Sequence, residues 1–353
     1  MHALTKWLHQ GNTRKLVILV LGTLAIILLL RLCLSLFPNS PQQKAASFQP
    51  LQEIPAKAQQ VKVGFYPMNI YQLDISSNTY YLDTYIWFRW KGKIDPIADL
   101  EFTNAVEEWG MTQKPGYEKP QPQSDGSWYQ ILRVEGRFFQ PYNLSKYPLD
   151  HQQLGITLEN SIYTTKDLIY IADTKDSGFA DTLAVQGWSI TGWQVHNSLH
   201  SYPSNFGLAE PDIAPYSAVR YELMVTRPVN YFIWKLFLPL LIVLIASWGA
   251  LLLNPAYVDS RIAIPVTALL TIVFLQQSYS EALPESGYLV LMDQIYALSY
   301  LLVITTLMEA IVTAEWVKHK QPENFIRVTR LDRPFLAIQV VVLCLGIGLL
   351  IAV

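Results

Sequence analysis

DSRIAIPVTALLTIVFLQQSYSEALP, residues 259–284, decides how the rest of the chain is read. About 24 helical residues at ~1.5 Å each span roughly 36 Å, enough to cross a bilayer. The stretch is not uniformly apolar. Asp259, Ala263, Thr267, Leu270, Phe274, Gln277 and Glu281 recur at steps of three or four and so share one helical face. That face is acidic at both ends, small and hydroxylic near one end, and apolar in the middle. Lipid cannot solvate carboxylates, so a helix with this stripe at membrane depth needs water or protein beside it. The stretch reads as one stave of an aqueous pore.

Bulk composition agrees with a membrane chain. Of 353 residues, 51% are apolar and 15% charged, and the net charge is −2. Such a balance gives no reason to expect nucleic acid as a partner. The only cysteines, Cys33 and Cys344, each sit inside an apolar run, so a disulfide framework is not expected. Six scattered histidines and two distant cysteines give no zinc spacing, and no metal or cofactor is expected. No G-x-S-x-G, phosphate-binding glycine loop or H-E-x-x-H occurs, which lowers the expectation of an enzyme.

The chain divides by pattern. Residues 16–37 form an apolar run behind Lys6, Arg14 and Lys15, and residues 1–37 read as a signal peptide or a retained anchor helix. Residues 38–55 read as a polar linker. Residues 56–228 have the alternation of a β-sandwich. In residues 80–90, Tyr80, Leu82, Thr84, Ile86, Phe88 and Trp90 make one face, and Tyr81, Asp83, Tyr85, Trp87 and Arg89 the other. Leu154, Ile156 and Leu158 alternate with Gly155, Thr157 and Glu159. Four apolar blocks follow, at about 231–253, 259–282, 288–316 and 334–353. The loop before the last block holds Lys318, Lys320, Arg327, Arg330 and Arg333, which places it in the cytoplasm. Counting crossings puts the β domain and the C-terminus outside. The expected class is an α+β membrane protein: an extracellular β-sandwich, a four-helix transmembrane bundle and an extra N-terminal hydrophobic helix.

In this order the residues resemble the pentameric ligand-gated ion channels, the Cys-loop receptors, in their prokaryotic form. Leu144-Ser145-Lys146-Tyr147-Pro148-Leu149-Asp150 resembles the aromatic-Pro-apolar-Asp loop of that family. Arg227-Pro228 resembles its pre-membrane arginine and Pro239 its helix proline. Thr267-Ala268-Leu269-Leu270-Thr271 is similar to the hydroxyl and leucine positions of the pore helix, and Leu283-Pro284 with Tyr288 and Asp293 to the turn into the third helix. The family's cysteine pair is absent around 147–150, the cytoplasmic loop is short, and the leading apolar segment is not part of the usual plan. The first two departures resemble the prokaryotic members, which implies a bacterial inner membrane with the β domain in the periplasm; the role of the leading segment stays open.

The resemblance implies a homopentamer whose subunits are one another's partners, lipid around it and permeant ions within it. Rings of Asp259 and Glu281 would concentrate cations and repel anions, so cation selectivity is expected. The ordinary alternative for Asp259 is a helix N-cap. Arg261, two residues on, is expected to turn toward neighbouring protein or headgroups. Leu270 and Phe274 would form apolar rings that gate by dewetting, with Thr267 below supplying hydroxyls; the ordinary alternative is helix packing. Tyr147, Pro148, Leu149, Asp150, Arg227 and Pro284 would couple the β domain to the helices, with Asp150–Arg227 otherwise a static pair. Ligand contacts are expected among Tyr85, Glu159, Ser161, Tyr163, Tyr202 and Phe206, although aromatics in a β-sandwich are commonly packing. The ligand is a small molecule such as an amine, a proton or a divalent cation. The competing reading is a membrane-tethered periplasmic solute receptor that does not conduct.

Overall fold

The computed structural model describes residues 48–50, 57–204, 206, 207, 214–285, 287–318 and 321–352. The expected N-terminal helix and most of the linker lie outside them. The described chain forms two compact units, one of strands and one of helices; residues 144–149 belong to the helical unit although they interrupt the strands in sequence.

The strand unit contains β1 (Phe48–Pro50), β2 (Gln59–Asp74), β3 (Thr79–Trp90), β4 (Leu100–Phe102), β5 (Thr112–Pro115), β6 (Gln121–Pro122), β7 (Trp128–Phe139), β8 (His151–Asn160), β9 (Leu168–Ala172), β10 (Ser189–His200) and β11 (Tyr216–Thr226). One sheet runs β1-β10-β11-β8-β4; the other runs β5-β7-β3-β2-β9, with β6 also on β7. The β2–β9 pair is parallel and the other pairs are antiparallel. The expected alternation of β3 is realised: Tyr80, Leu82, Thr84, Ile86, Phe88 and Trp90 are all buried. They meet Leu154, Ile156 and Leu158 of β8 and Tyr221, Leu223 and Val225 of β11, also buried, in the core of a sandwich. The large rings that need a polar partner find one: Tyr80 donates to Gly155 O at 2.8 Å and Tyr170 to Pro96 O at 2.6 Å.

Strand β8 departs from simple alternation because its second face is buried too. Arg220 lies across it, donating from Nη1 to Thr157 Oγ1 at 3.0 Å and from Nη2 to Gln140 Oε1 at 3.2 Å. Glycine at 155 leaves room for that side chain, since a Cβ there would overlap the guanidinium and make it shift.

The helical unit contains four helices long and apolar enough to cross a membrane: α1 (Val229–Leu252), α2 (Val258–Ser280), α3 (Leu291–Val317) and α4 (Pro322–Ala352). Pro239 lacks an N–H, and the turn ahead of it widens to π geometry over Phe232–Phe237, with Leu238 N reaching Ile233 O. The first three helices start and end near the expected bounds. The fourth begins at Pro322 rather than at 334. Val328, Asp332, Phe335 and Gln339 continue one buried stripe through Pro334, which the helix accommodates internally. Pro322 itself sits in the first turn, where a missing N–H costs nothing.

Helix α3 is the innermost: half of its apolar window is buried, against 22% for α2 and for α4. Its first N–H groups have no partner within the helix. Residues 144–149 supply them, with Leu291 N donating to Ser145 O at 2.9 Å and Met292 N to Tyr147 O at 3.2 Å. Tyr288 Oη accepts from Leu144 N at 3.1 Å. Asp293 accepts from Val290 N at 3.1 Å and from the Tyr279 hydroxyl. The rings of Tyr147, Tyr279 and Tyr296 stack in succession, with centroids 6.4 and 5.2 Å apart. The Tyr147–Pro148 peptide is cis.

Candidate permeation face and ligand site

All seven positions of the acidic-to-apolar stripe are exposed on α2: Asp259, Ala263, Thr267, Leu270, Phe274, Gln277 and, just past the helix, Glu281. The buried residues of α2 are Arg261, Pro265, Ala268, Ile272 and Tyr279. At about 100° per residue the exposed set occupies about 80° of arc and the buried set about 60° on the opposite side. Leu270 and Phe274 are 57% and 61% exposed, far more than helix packing within this unit would leave. Asp259 lies in the first turn but is not the N-cap, which is Tyr257. Its carboxylate therefore has the favourable helix dipole without a capping duty. Thr267 Oγ1 donates to Ala263 O and Thr271 Oγ1 to Thr267 O, both at 2.9 Å. With its proton turned into the helix, the Thr267 oxygen presents lone pairs outward. Gln277 Nε2 reaches Glu281 Oε1 at 3.4 Å along the same face.

Arg261 turns to the other side, as expected. It is 2% exposed, and its Nη2 lies 3.1 Å from Glu309 Oε2 on α3 and 2.8 Å from Asp332 Oδ1 on α4. The sequence reading did not identify Glu309 or Asp332 as its partners. Both carboxylates fall on the buried stripes of their helices, and a charge at a buried stripe position is the signal that could have found them.

The expected coupling residues fall into two groups. Tyr147, Pro148, Leu149 and Pro284 belong to the helical unit, and Asp150 and Arg227 to the strand unit. Within the latter, Arg227 Nε lies 2.9 Å from Asp150 Oδ1, and Arg227 N donates to Asp150 O at 3.3 Å. Gln152 Nε2 donates to Asp150 Oδ2 at 2.8 Å. The Arg227 guanidinium sits 4.3 Å over the Trp188 ring, a contact absent from the sequence reading.

Of the ligand candidates, three converge. Glu159 is buried and accepts from the Tyr202 hydroxyl, and its Oε2 lies 2.8 Å from His200 Nδ1. Phe206 meets the Tyr202 ring edge-on at 5.2 Å, and Tyr216 does so at 5.8 Å. Burial, together with the hydrogen bond to Glu159, pushes the Tyr202 phenol above its ordinary range, so it stays a donor at neutral pH. His200 and Tyr216, opposite each other in the β10–β11 register, join this cluster and were not among the sequence candidates; hairpin pairing across the intervening loop was the available signal. Ser161 and Tyr163 make other bonds: Ser161 Oγ donates to Asp99 O at 3.3 Å, and Tyr163 N donates to Asn160 Oδ1 at 2.7 Å. Tyr85 is on the other sheet, with the Arg133 guanidinium 6.0 Å from its ring centroid. Arg133 is itself fixed by paired 3.0 Å bonds to Asp83, which also accepts from Asn69 at 3.2 Å. A buried carboxylate beside His200 and an aromatic cluster built on Tyr202 favours a cationic or hydrogen-bond-donating ligand over an anionic one.

A second buried acid shares the sheet. Burial pushes the Glu222 carboxyl up, but hydrogen bonds from Arg220 (2.6 Å) and Gln194 outweigh it and hold the group below the ordinary glutamate range.

No family model matches the chain. Individual relatives do. The chain is 24% identical over 292 residues to a proton-gated ion channel of Gloeobacter violaceus, covering 77% of this chain and 78% of that protein. It is 23% identical over 169 residues to a gamma-aminobutyric acid receptor subunit beta of Lymnaea stagnalis, covering 47% of this chain and 32% of the relative. It is 24% identical over 164 residues to a glutamate-gated chloride channel of Drosophila melanogaster, covering 46% and 34%. The chain thus spans about a third of the length of the last two. A β-sandwich followed by four helices of membrane-crossing length, in a chain similar to these ion channels, gives this multi-pass membrane protein the architecture and the relatives of the pentameric ligand-gated ion channels, or Cys-loop receptors.

Proposed function

We propose that five copies of this chain close into a ring around a cation-conducting pore lined by α2, and that a ligand held at Glu159, Tyr202 and Phe206 opens it. The observation that carries the proposal is the bare stripe of α2. A single protomer leaves carboxylates, hydroxyls and two large apolar side chains uncovered on a helix of membrane-crossing length. Five such stripes around an axis supply one another with water, which lipid cannot do. A rotary contact between identical subunits closes the ring.

In that ring Asp259 forms an acidic collar at the cytoplasmic mouth and Glu281 a second one at the outer mouth. Both concentrate cations by a charge field focused between low-dielectric walls. Thr267 offers acceptor oxygens in place of part of an ion's hydration shell. Leu270 and Phe274, about one turn apart, exclude water when the ring is narrow. Tyr147, Pro148, Leu149 and Pro284, with the Asp150–Arg227 pair, transmit the ligand's effect to α2. Tyr85, Ser161 and Tyr163 complete the ligand contacts from the adjoining surfaces of neighbouring sandwiches. The relatives' names include both a proton-gated channel and a chloride channel. The charge on α2 favours the cation reading, and a carboxylate flanked by aromatics favours a protonated or cationic ligand.

Purified protein in a planar bilayer with a potassium chloride gradient tests this. The reversal potential is expected near the potassium equilibrium potential, with current evoked by acid, an amine or a divalent cation. A reversal potential at the chloride value overturns the selectivity, and no current under any of these ligands overturns the channel reading.

A further inference from the structure

Resting on the cation-channel reading, we infer that Glu309 and Asp332 are selectivity-determining residues: they hold the positive charge of Arg261 away from the permeation path and leave Asp259 to act alone at the pore mouth. Arg261 follows Asp259 by two residues at the same end of α2. A guanidinium there, five times over, would cancel the acidic collar if it were free to reach water. Its side chain is long enough to snorkel toward the aqueous mouth, and a charge at membrane depth is driven to do so unless it is paired.

The structure pairs it twice. The same Nη2 contacts Glu309 on α3 and Asp332 on α4, and all three residues are nearly fully buried. One guanidinium thus faces two carboxylates, so its charge stays balanced even with one carboxyl protonated. The clamp is not a saturated hydrogen-bond network built for rigidity. Arg261 Nε and Glu309 Oε1 have no hydrogen-bond partner among the described residues. A purely structural core would be better served by apolar side chains of the same volume, which often match or exceed buried ion clusters in stability. The placement of two acids around one arginine instead fits a need to neutralise that arginine beside a charge-selective mouth.

The test is the cation-to-anion permeability ratio, from reversal potentials of the full-length channel in bilayers. Removing both acids, E309Q with D332N, is expected to lower the ratio at least about threefold, because the freed Arg261 opposes Asp259. Adding R261Q to that pair is expected to restore the wild-type ratio. A merely structural role would change expression or stability without moving the ratio. As a variant that avoids an unpaired buried charge, R261M with E309M and D332L is expected to assemble and keep the wild-type ratio. An unchanged ratio in the double variant, or a lowered ratio in the apolar triple variant, overturns the inference. A wild-type channel that is not cation-selective instead overturns the reading beneath it.

Discussion

Strand β8 and helix α2 both carry a polar stripe beside an apolar one, and the chain treats the two stripes in opposite ways. On β8 the polar face is covered by the chain itself. Thr157 accepts from Arg220, and Glu159 is held by His200 and Tyr202. On α2 the polar face is left bare along its whole length while the opposite face is buried. A buried polar group satisfied by its own chain is a local solution. A bare polar stripe on a membrane-crossing helix is a solution only when other copies and water complete it. The contrast separates polar side chains that one protomer satisfies by itself from a stripe that it leaves uncovered.

Breaking the covered face should cost the most. Arg220→Ala removes the cation that compensates buried Glu222 and the donor to Thr157, and should destabilise the protein by about 3–5 kcal/mol in thermal or denaturant unfolding followed by tryptophan fluorescence. A loss below about 1 kcal/mol would mean the β8 face is wet in solution.

The two sides of α2 should then differ from each other. Ile272→Ala, on the buried side, should cost about 2–4 kcal/mol, because Ile272 is fully enclosed. Thr267→Val, on the bare side, should stay within about 0.5 kcal/mol of wild type while reducing single-channel conductance. Equal losses of stability would show the stripe to be packing. Leu270→Ser sharpens the same point: it should hydrate the constriction and raise current in the absence of ligand, read as basal conductance.

A smaller effect is expected at the ligand site. Tyr202→Phe removes one hydrogen bond to Glu159 but keeps the ring, so it should cost about 1 kcal/mol in agonist potency, roughly fivefold in a dose–response curve. The smallest test is acid dependence at Glu222. Its folded carboxyl titrates below its unfolded value, so its stabilisation is complete above about pH 4.3 and is lost as pH falls through the lower folded value. Glu222→Gln should therefore be less stable than wild type at neutral pH, with the difference closing below about pH 4. A difference that does not change between pH 7 and 3 would contradict the hydrogen-bonded state of this carboxylate.

Much of the plan was legible because its signals are local. The period of α2 placed seven side chains on one face, and the alternation of β3 named its buried face residue by residue. What was missed depends on residues far apart in sequence. Tyr147 stacks on Tyr279, Arg227 lies over Trp188, and Arg261 is held from two other helices; no spacing rule joins such partners. The early start of α4 was hidden by Pro334, which reads as a helix boundary when taken alone. Its buried stripe of Val328 and Asp332 runs on into Phe335, and that continuity was the better guide. Among ligand candidates, Glu159, Tyr202 and Phe206 converge because one hairpin carries two of them past β8. Tyr85 belongs to the other sheet, which the alternation of one strand does not reveal.

The most direct measurement is cysteine accessibility along α2 in assembled, reconstituted protein lacking the native Cys33 and Cys344. A water-soluble thiol reagent applied during activation should modify cysteines at positions 263, 267, 270, 274 and 277 and change the current, while those at 265, 268 and 272 stay protected. Protection at 267 and 270 under all conditions, or equal modification on both sides of the helix, would contradict a pore lined by this face.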